Sequence, residues 1–448
     1  MRPLFRILYL FYRLTSGVRH WTRRRFTRSG LAVLGALAVA AVMGPDTENN
    51  VTYQGFTLLF FLLLMAVLCS WAFRARFSAN RVLPQFGTAG CTLSYTARVR
   101  NLGAKPQSGL ELLELVADPR PSFSEWLAVQ MADEKHVRSF RLGQLRRTNP
   151  FRMALAKVAL VPPLPPRVEV EIPLELTPLR RGVLRLNGIS LARPDPLGLF
   201  RGFSNINLPQ SVLILPKRYP LPPFALPGTL KYQAGGVALA SNVGQSEEFV
   251  SLRDYRHGDP LRHIHWRSWA KTGKPVVKEF EDEFFVRHAL VLDTFTDHPH
   301  SLVFEEAVSI AASFACTIQT QESLLDLLFV GPDSFCFTAG RGLAHADQML
   351  EILASVRPGP EGGFASLEQL VLTHADAVAG CICVFLAWDK QRREFVKKLN
   401  ELGVPLLVLV VADRGKAKQV TEPPIAQEPN RFYVVEVGQI EQDLARIQ

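Results

Sequence analysis

Two long apolar runs lie near the N terminus, at residues 31–44 and 56–73. The second run has 18 residues. As a helix at about 1.5 Å per residue it is about 27 Å long, close to the ~30 Å hydrocarbon core of a membrane. The first run is shorter, so the bilayer thins around it or its helix extends backward through Phe26. The pattern predicts a transmembrane hairpin with spans at about residues 28–44 and 56–73, inside an N-terminal segment of residues 1–83.

Charged residues around these runs predict their orientation. The first thirty residues hold eight arginines and no Asp or Glu, whereas the loop at 45–55 carries Asp46 and Glu48 but no Lys or Arg. Arginines follow the second run as well. Because positive charge stays on the cytoplasmic side, we expect a multi-pass protein of the bacterial inner membrane with both termini in the cytoplasm. A cleaved signal peptide is the alternative for the first run. Its long basic region and the second run close behind argue against that alternative.

The excess of basic residues is confined to the N terminus. The net charge is +10, but without the eight N-terminal arginines 43 of the 51 Lys and Arg remain, against 41 Asp and Glu. The N-terminal cluster suits anionic lipid headgroups, with residues 4–14 lying along the inner interface. No stripe of basic and aromatic residues elsewhere supports nucleic-acid binding.

Alternating apolar and polar residues predict strands from about residue 84 onward. Tyr95, Ala97 and Val99 alternate with polar neighbours, and residues 168–176 repeat the pattern. This period of two indicates half-buried antiparallel strands. A strand pair at 183–191 and a strand at 211–215 complete a predicted β-sandwich over residues 84–215. The turn at 195–200 ends in an apolar plug, Leu199-Phe200.

The C-terminal part alternates between strand and helix patterns. A Pro- and Gly-rich stretch at 216–250 reads as a linker. Apolar runs then predict strands at 289–292, 324–330, 381–386, 405–411 and 432–437, and helical spacing predicts helices at 302–322, 345–356 and 390–402. The alternation is typical of a mostly parallel sheet with helices on both faces. The whole chain is thus predicted to be a membrane-anchored α+β protein whose α/β domain, with the segment before it, covers residues 251–448.

A dense run of charged and aromatic residues, 252–283, precedes the sheet. Asp259 followed by Pro260 predicts a helix start, so a short helix is expected from 260 to about 271. Gly273 ends this helix, and residues 275–280 leave as a strand. The helix would place Arg262, Trp266 and Trp269 on one side.

This run has two readings. In one, paired charges lock the linker onto the sheet, and the tryptophans are part of the core. In the other, the run is a docking surface, because Trp, Tyr and Arg are over-represented at binding hot spots. The candidate partner-binding residues are Arg253, Tyr255, Arg256, Asp259, Arg262, Trp266 and Trp269.

The same run resembles the signature of the bacterial family called domain of unknown function 58. The matching residues, in order, are Arg253, Tyr255, Gly258-Asp259, Arg262, Ile264 and Trp266. The turn at 195–200 and the membrane hairpin are also similar to that family's. The resemblance implies a C-terminal domain like a von Willebrand factor A domain. It also implies association with MoxR-type AAA+ ATPases, and sometimes with transglutaminase-like membrane proteins.

A von Willebrand A-like domain raises the question of a metal site. Such domains hold Mg²⁺ through Asp-x-Ser-x-Ser after the first strand, because Mg²⁺ takes oxygen ligands in octahedral geometry. The matching positions are Asp293, Phe295 and Asp297, and Asp389 follows another strand. Phe295 offers no oxygen, so the set is degenerate. We expect no metal and no cofactor, with Mg²⁺ as the alternative, and we expect Asp293 to bond a neighbouring loop instead.

Other chemistry finds little support. His263 and His265 point apart on a helix, and no two of the six cysteines form C-x-x-C, so the cysteines read as buried reduced thiols. No G-x-S-x-G, H-E-x-x-H or G-x-x-x-x-G-K-[ST] occurs. We therefore expect no enzyme but a membrane-tethered adaptor that works with an AAA+ ATPase in assembly or maturation of envelope proteins. The alternative is a cryptic hydrolase or a metal-dependent binding protein that uses the loops after Leu292, Val330 and Leu386.

Overall fold

A computed structural model of the chain falls into two compact units. The first comprises Met1–Lys217, Asp297–Ser301 and Leu350–Arg357, and the second Arg218–Thr296, Leu302–Met349 and Pro358–Gln448. The structure describes residues 2–43, 50–71, 73, 75–117, 120–136, 151–222, 249–259, 261–280, 286–298, 300–317, 323–339, 343–360, 363–417, 420 and 431–447.

The first unit begins with three helices, α1 (Arg2–Arg25), α2 (Arg28–Met43) and α3 (Asn50–Trp71). Among the described residues one helical stretch, Thr52–Trp71, is long and apolar enough to cross a membrane, and the apolar helix α2 is shorter. Helices α2 and α3 pack against each other. Gly44, at the end of the first predicted span, lies outside the described residues. Helix α3 starts six residues before the predicted span because helical hydrogen bonding continues through Asn50 and Gln54, whereas hydropathy marks only the apolar part.

Two sheets that share one core follow, antiparallel as the alternation predicted except for the parallel pair β2–β9. One sheet has the order β1-β3-β7-β5 and the other β2-β9-β8-β4-β6. Tyr95, Ala97 and Val99 of β3 meet Leu184 and Leu186 of β8 in the buried cluster. The strands are β1 (Phe77–Val82), β2 (Phe86–Thr88), β3 (Leu93–Asn101), β4 (Leu110–Val116), β5 (Ala154–Ala156), β6 (Ala159–Val161), β7 (Glu169–Pro178), β8 (Gly182–Pro194) and β9 (Arg201–Leu215).

Several details of the sandwich differ from the prediction. β8 and β9 form one long hairpin around the turn at 195–200, instead of a strand pair within 183–191. The first half of β9 was missed, although polar Asn205 and Asn207 alternate with apolar Ile206 and half-buried residues alternate with exposed ones along it. Strand β1 precedes residue 84, and helix α4 (Phe123–His136) was not predicted. That helix has no apolar periodicity that marks it in sequence.

The turn at 195–200 packs onto the N-terminal helices of the same unit. The Asp195 carboxylate accepts backbone N–H groups of Leu197, Leu199 and Phe200 at 2.6–2.9 Å, which closes the turn. Leu199 and Phe200 are then buried in a cluster with apolar side chains of α2 and α3, including Leu63 and Ala66. The predicted apolar plug, Leu199-Phe200, therefore packs against α2 and α3.

The second unit contains a six-stranded sheet of order β14-β13-β12-β15-β16-β17, parallel except for the β14 edge. Its strands are β12 (Val286–Leu292), β13 (Ser323–Val330), β14 (Ser334–Ala339), β15 (Gly380–Phe385), β16 (Leu406–Ala412) and β17 (Arg431–Glu436), after β10 (Phe249–Asp254) and β11 (Val276–Phe280). The helices are α5 (Trp266–Thr272), α6 (Leu302–Thr317), α7 (Leu343–Ser355), α8 (Phe364–His374), α9 (Lys390–Glu401) and α10 (Ile440–Leu444).

The predicted alternation of strands and helices is confirmed here within a few residues, apart from the end of the first helix, since residues 318–322 lie outside the described part. β15 and β16 are buried along their whole length, which explains their unbroken apolar sequences. The expectation of buried thiols holds only for Cys381 and Cys383, because the other four cysteines are exposed. Residues 223–248 of the predicted linker lie outside the described residues, while Tyr219 bonds to Ser313 and Glu306 of α6.

Candidate functional site

The signature segment, residues 249–280, is a two-stranded sheet with a short helical insertion. Strands β10 and β11 pair antiparallel. Between them lie a 3₁₀ turn, Leu261–His263, and helix α5. Gly273 ends the helix in a left-handed conformation (φ 71°) and donates its N–H to the Trp269 carbonyl at 2.9 Å. Glycine takes this conformation without a side-chain clash, so the predicted helix end is confirmed.

The predicted helix start at 260 is wrong. The helix begins at Trp266, after His265. Ile264 is buried and forms an isolated antiparallel bridge with Val277, and the His265 N–H donates to the Val276 carbonyl at 2.8 Å. Pairing with β11 therefore holds the backbone extended where the sequence predicted a continuous helix. Pro260 lies outside the described residues.

Asp259 organises the loop before the helix rather than capping it. Its two carboxylate oxygens accept Arg253 Nη1 and Nη2 at 2.7 and 2.8 Å, and Oδ2 also accepts the Arg256 N–H at 2.8 Å. The hydrogen bonds from Arg253 and then from the Arg256 N–H lower the pKa of Asp259 to about 2. Its contribution is therefore complete above its ordinary pKa and is lost only as pH falls toward about 2. The pair ties the end of β10 to the loop at neutral pH.

The two tryptophans form a separate pair, in which Trp266 is exposed and Trp269 half-buried. The rings of Trp266 and Trp269 stack with centroids 5.3 Å apart and planes at 20°. Trp266 is 63% exposed and Leu261 68% exposed. α5 contains no buried residue. The reading that places the tryptophans in the core is therefore wrong for Trp266, and the stacked indoles are a surface feature.

Five of the seven predicted site residues fall into two clusters. One cluster contains Arg253, Arg256 and Asp259, and the other contains the two tryptophans. Tyr255 is half-buried and its N–H donates to the Pro275 carbonyl at 3.0 Å, while Arg262 is exposed with Nε 3.3 Å from His263 Nε2. The short β10–β11 frame carries both clusters.

The end of β12 holds the second candidate site, centred on Asp293. This carboxylate is fully buried and accepts the Phe295 N–H at 3.0 Å and the Leu386 N–H at 3.1 Å. Arg392 Nε donates to its Oδ2 at 2.7 Å. Arg392 Nη1 reaches Asp389 Oδ2 at 2.5 Å, and the guanidinium lies 4.8 Å from the Phe364 ring centroid. Asp293 thus bonds neighbouring loops, as expected, but its charge is neutralised by an arginine.

These residues do not fit Mg²⁺. The Asp293 oxygens are already engaged by three N–H donors, one of them cationic, and Phe295 is buried and lacks a side-chain oxygen. Burial alone lowers the pKa of Arg392, but attraction to Asp293 and Asp389 outweighs it and raises the pKa, so the guanidinium stays charged. Asp297 is exposed. Across the described ranges no three His, Cys, Asp or Glu side chains converge as a metal site.

Sequence reasoning missed Arg392 although a signal was present. Arg392, Phe395, Val396 and Leu399 are the buried residues of α9, and they occupy one helical face. An arginine on an apolar face, three residues after an N-cap Asp389, indicates a buried ion pair. Asp389 does cap the helix, accepting the Arg392 N–H at 2.9 Å.

Similar solved structures add little. The CARDB domain of a Pyrococcus furiosus protein, crystallised in complex with di-metal ions, matches 32% of this chain and 89% of its own length at 12% identity, with a TM-score of 0.17. A cohesin module from a Clostridium perfringens family 33 glycoside hydrolase matches 32% of this chain and 98% of its own at 10% identity, with a TM-score of 0.16. Likenesses at such scores indicate neither the fold nor the function of this chain.

Sequence relatives are more informative. A Bacillus subtilis (strain 168) protein named Uncharacterized protein YeaD is 26% identical over 182 residues. The match covers 40% of this chain and 44% of the relative, so this chain spans less than half of that relative's length. Residues 251–412 match the family described as Protein of unknown function DUF58, and they contain the signature segment and most of the six-stranded sheet. Over these residues the family resemblance carried by Arg253, Asp259 and Trp266 is confirmed.

Proposed function

We propose that this chain is a membrane-tethered, non-catalytic adaptor that docks a MoxR-type AAA+ ATPase and serves the assembly or maturation of envelope proteins. The observation that carries the proposal is the stack of the exposed Trp266 on the half-buried Trp269 in the signature segment. Large aromatic side chains held in one orientation lose little entropy on binding, and Trp and Arg dominate binding hot spots. The ATPase as partner follows from the family resemblance.

The charge around the stack defines the partner surface that would fit it. Helix α5, which carries the stack, holds Arg267 and Lys271 and no acidic residue. Asp259 is already neutralised by Arg253. A partner with a carboxylate-lined groove that accepts an indole therefore complements this face, and its association should weaken with salt.

The helices of the first unit support the proposed tether. α3 is long enough to span a membrane, and α2 packs against it. We propose that the two form a hairpin in the bacterial inner membrane with both termini in the cytoplasm, as the distribution of arginines favours. The bilayer thins around the shorter α2, or its N-terminal Arg28 reaches to the headgroups.

The second unit supports a von Willebrand A-like assignment without its metal. Numbered along the chain, its strands lie in the order 3-2-1-4-5-6 with an antiparallel edge, a doubly wound arrangement. Arg392 supplies the positive charge beside Asp293. We therefore propose that binding by this unit is independent of Mg²⁺. The residues at Asp293 give no support to the alternative of a metal-dependent binding protein.

The adaptor proposal is tested by affinity purification of the detergent-solubilised full chain from native cells, followed by mass spectrometry. We expect an AAA+ ATPase to copurify with wild type and to be lost with Trp266→Ala. Leu402→Ala is the matched control, since Leu402 is also an exposed apolar residue (53%) of the second unit. Absence of any AAA+ ATPase from the wild-type sample, or equal recovery with all three proteins, would contradict the proposal.

A further inference from the structure

A cavity of about 370 Å³ lies in the first unit, between the C-terminal half of α1 and β9. Basic and aromatic side chains form most of its lining, and a glycine on α1 lets the facing side chains come close to the helix. Its lining consists of Gly17, His20, Trp21, Arg24, Arg25, Arg120, Phe203 and Asn205.

Two guanidiniums in this cavity lack a counter-charge in the described part of the chain. Arg24 and Arg25 lie 4.8 and 5.0 Å from the same Phe203 ring centroid. No carboxylate among the described residues forms an ion pair with either of them. Burial, and then the neighbouring charge of Arg25, lowers the pKa of Arg24. An anion in the cavity would relieve both the burial cost and the mutual repulsion.

Neutral groups hold the Arg24 side chain in place. Its Nη2 donates to Ser190 Oγ at 2.5 Å and lies 3.4 Å from Asn205 Oδ1. Ser190 is fully buried and in turn donates to Asn205 Oδ1 at 2.6 Å. These partners orient the guanidinium without cancelling its charge, which leaves its other N–H donors for a ligand.

The helix that forms the cavity also carries an exposed apolar stripe. Its members recur at intervals of three and four residues and are each at least 52% exposed: Leu4, Ile7, Phe11, Leu14, Val18 and Trp21. At 100° per residue, Arg6 and Arg13 lie on the opposite side. Tyr9 and Tyr12 pack against Trp126 of α4, so the helix is fixed to the unit while its stripe remains uncovered.

A basic helix with one exposed apolar face, in the same unit as α3, which is long enough to span a membrane, has the properties of an in-plane interfacial helix. The stripe covers about 26 Å at about 1.5 Å per residue. When this stripe is buried as deep as the boundary between headgroups and acyl chains, the Arg24–Arg25 cavity lies at the level of the lipid phosphates. The lipid surface is therefore the occupant that the charge and the apolar face of α1 both fit.

We propose that this cavity binds the phosphodiester of an anionic membrane phospholipid. Paired guanidinium N–H donors match the oxygens of a phosphodiester. A headgroup with its own cation, such as choline, would add a further positive charge beside Arg24 and Arg25 and is disfavoured. The inference rests on the proposed membrane attachment, but it is independent of the partner at Trp266.

The test is native mass spectrometry of the detergent-solubilised full chain with added phosphatidylglycerol or phosphatidylcholine. We expect wild type to retain phosphatidylglycerol preferentially, and Arg24→Gln and Arg25→Gln to bind it about tenfold more weakly, as loss of one charge-assisted contact implies. Arg13→Gln is the control, because Arg13 lies on the same helix outside the cavity. Unchanged melting temperatures show that the variants fold, and if Arg24→Gln fails this check the Arg25→Gln result decides.

Three results would overturn the inference. These are equal retention of the two lipids, equal loss with Arg13→Gln, and displacement of the lipid by inorganic phosphate, which would make a soluble phosphate the ligand. Membrane fractionation of the same cells separates this failure from failure of the tether. A chain absent from the membrane fraction contradicts the attachment itself, whereas a membrane-bound chain without lipid selectivity contradicts only the cavity.

Discussion

Arg392 forms a buried ion pair in the second unit. Its side chain is 7% exposed and bonds the fully buried Asp293. Taking both charges out of water costs several kcal/mol, and their attraction compensates only while both are present. The pair therefore adds little net stability, but removing one partner while the other stays buried is costly.

We expect Arg392→Met to destabilise folding by about 3–5 kcal/mol, because it leaves the Asp293 carboxylate buried and uncompensated. Chemical denaturation of the detergent-solubilised chain, followed by a probe in the second unit, measures this. Arg393→Met is the control, since the Arg393 side chain is exposed on the same helix. A loss below about 1 kcal/mol would show that the buried pair is not coupled as described.

A second prediction concerns His288, which is 4% exposed in β12. Its Nδ1 has no hydrogen-bond partner within the described ranges, and burial lowers the pKa of the imidazole. The folded state favours the neutral form, so the unfolded chain binds more protons below about pH 6.5 and stability falls there. We expect the free energy of unfolding to decrease from about pH 7 to pH 5.

His288→Leu should reduce this pH dependence, whereas His257→Gln, which changes an exposed side chain, should leave it as in wild type. His300 acts in the same direction, since burial lowers its pKa to about 4, so the slope should diminish rather than vanish. An unchanged slope in His288→Leu would assign the dependence to other groups.

At the scale of elements, the join between α2 and the turn at 195–200 is closely packed. A Cβ on Gly30 would lie 1.9 Å from the Leu199 carbonyl oxygen, and that oxygen accepts the Thr27 N–H at 3.1 Å. Backbone atoms of α2 and of the turn form this contact, and backbone cannot move aside as easily as a flexible side chain. Close packing, rather than an ion pair, therefore holds α2 and the turn at 195–200 together.

We expect Gly30→Ala to destabilise the first unit by about 1–3 kcal/mol, the usual cost of overpacking. Gly35→Ala is the control on the same helix, because nothing lies within 4 Å of its Cβ position. Alanine there should be neutral or slightly stabilising through helix propensity. Thermal unfolding in detergent measures both, and equal melting temperatures would mean that the turn and helix are not in contact.

The elements that sequence predicted best are those whose burial is uniform or strictly alternating. β16 is a fully buried strand and reads as an unbroken apolar run, while β7 alternates buried and exposed residues. The start of α5 could not be read in this way. Asp259 bonds Arg253 instead of capping a helix, and the extension at Ile264 depends on pairing with Val277. Hydrogen bonds between segments thus replace the local helical ones here, and this replacement leaves no periodic pattern in the sequence.

The candidate sites show the same division. The residue types of the signature segment could be recognised in the sequence, and a surface role was one of the two predictions made for them. The exposure of Trp266, however, is seen only in the structure. The ion pair at Asp293 joins residues 99 apart in sequence, and the Arg24 cavity joins α1 to β9. Contacts between distant segments depend on the fold and cannot be read from spacing.

On the scale of the whole molecule, we propose that α3 with α2 tethers the chain to a membrane and that the signature segment is its docking surface. This proposal depends most on the contact of Trp266 with an AAA+ ATPase. Site-specific photo-crosslinking in living cells tests that contact without purification.

A photo-reactive phenylalanine analogue would replace Trp266 in the full chain and, as a control, the exposed Leu402. We expect a crosslinked AAA+ ATPase from position 266 and none from position 402. Retention of the ATPase in affinity purification would verify that the analogue at 266 still supports binding. Crosslinks to the ATPase from 402 alone, or from neither position while the ATPase still copurifies, would place the docking surface elsewhere and contradict the proposed contact at Trp266.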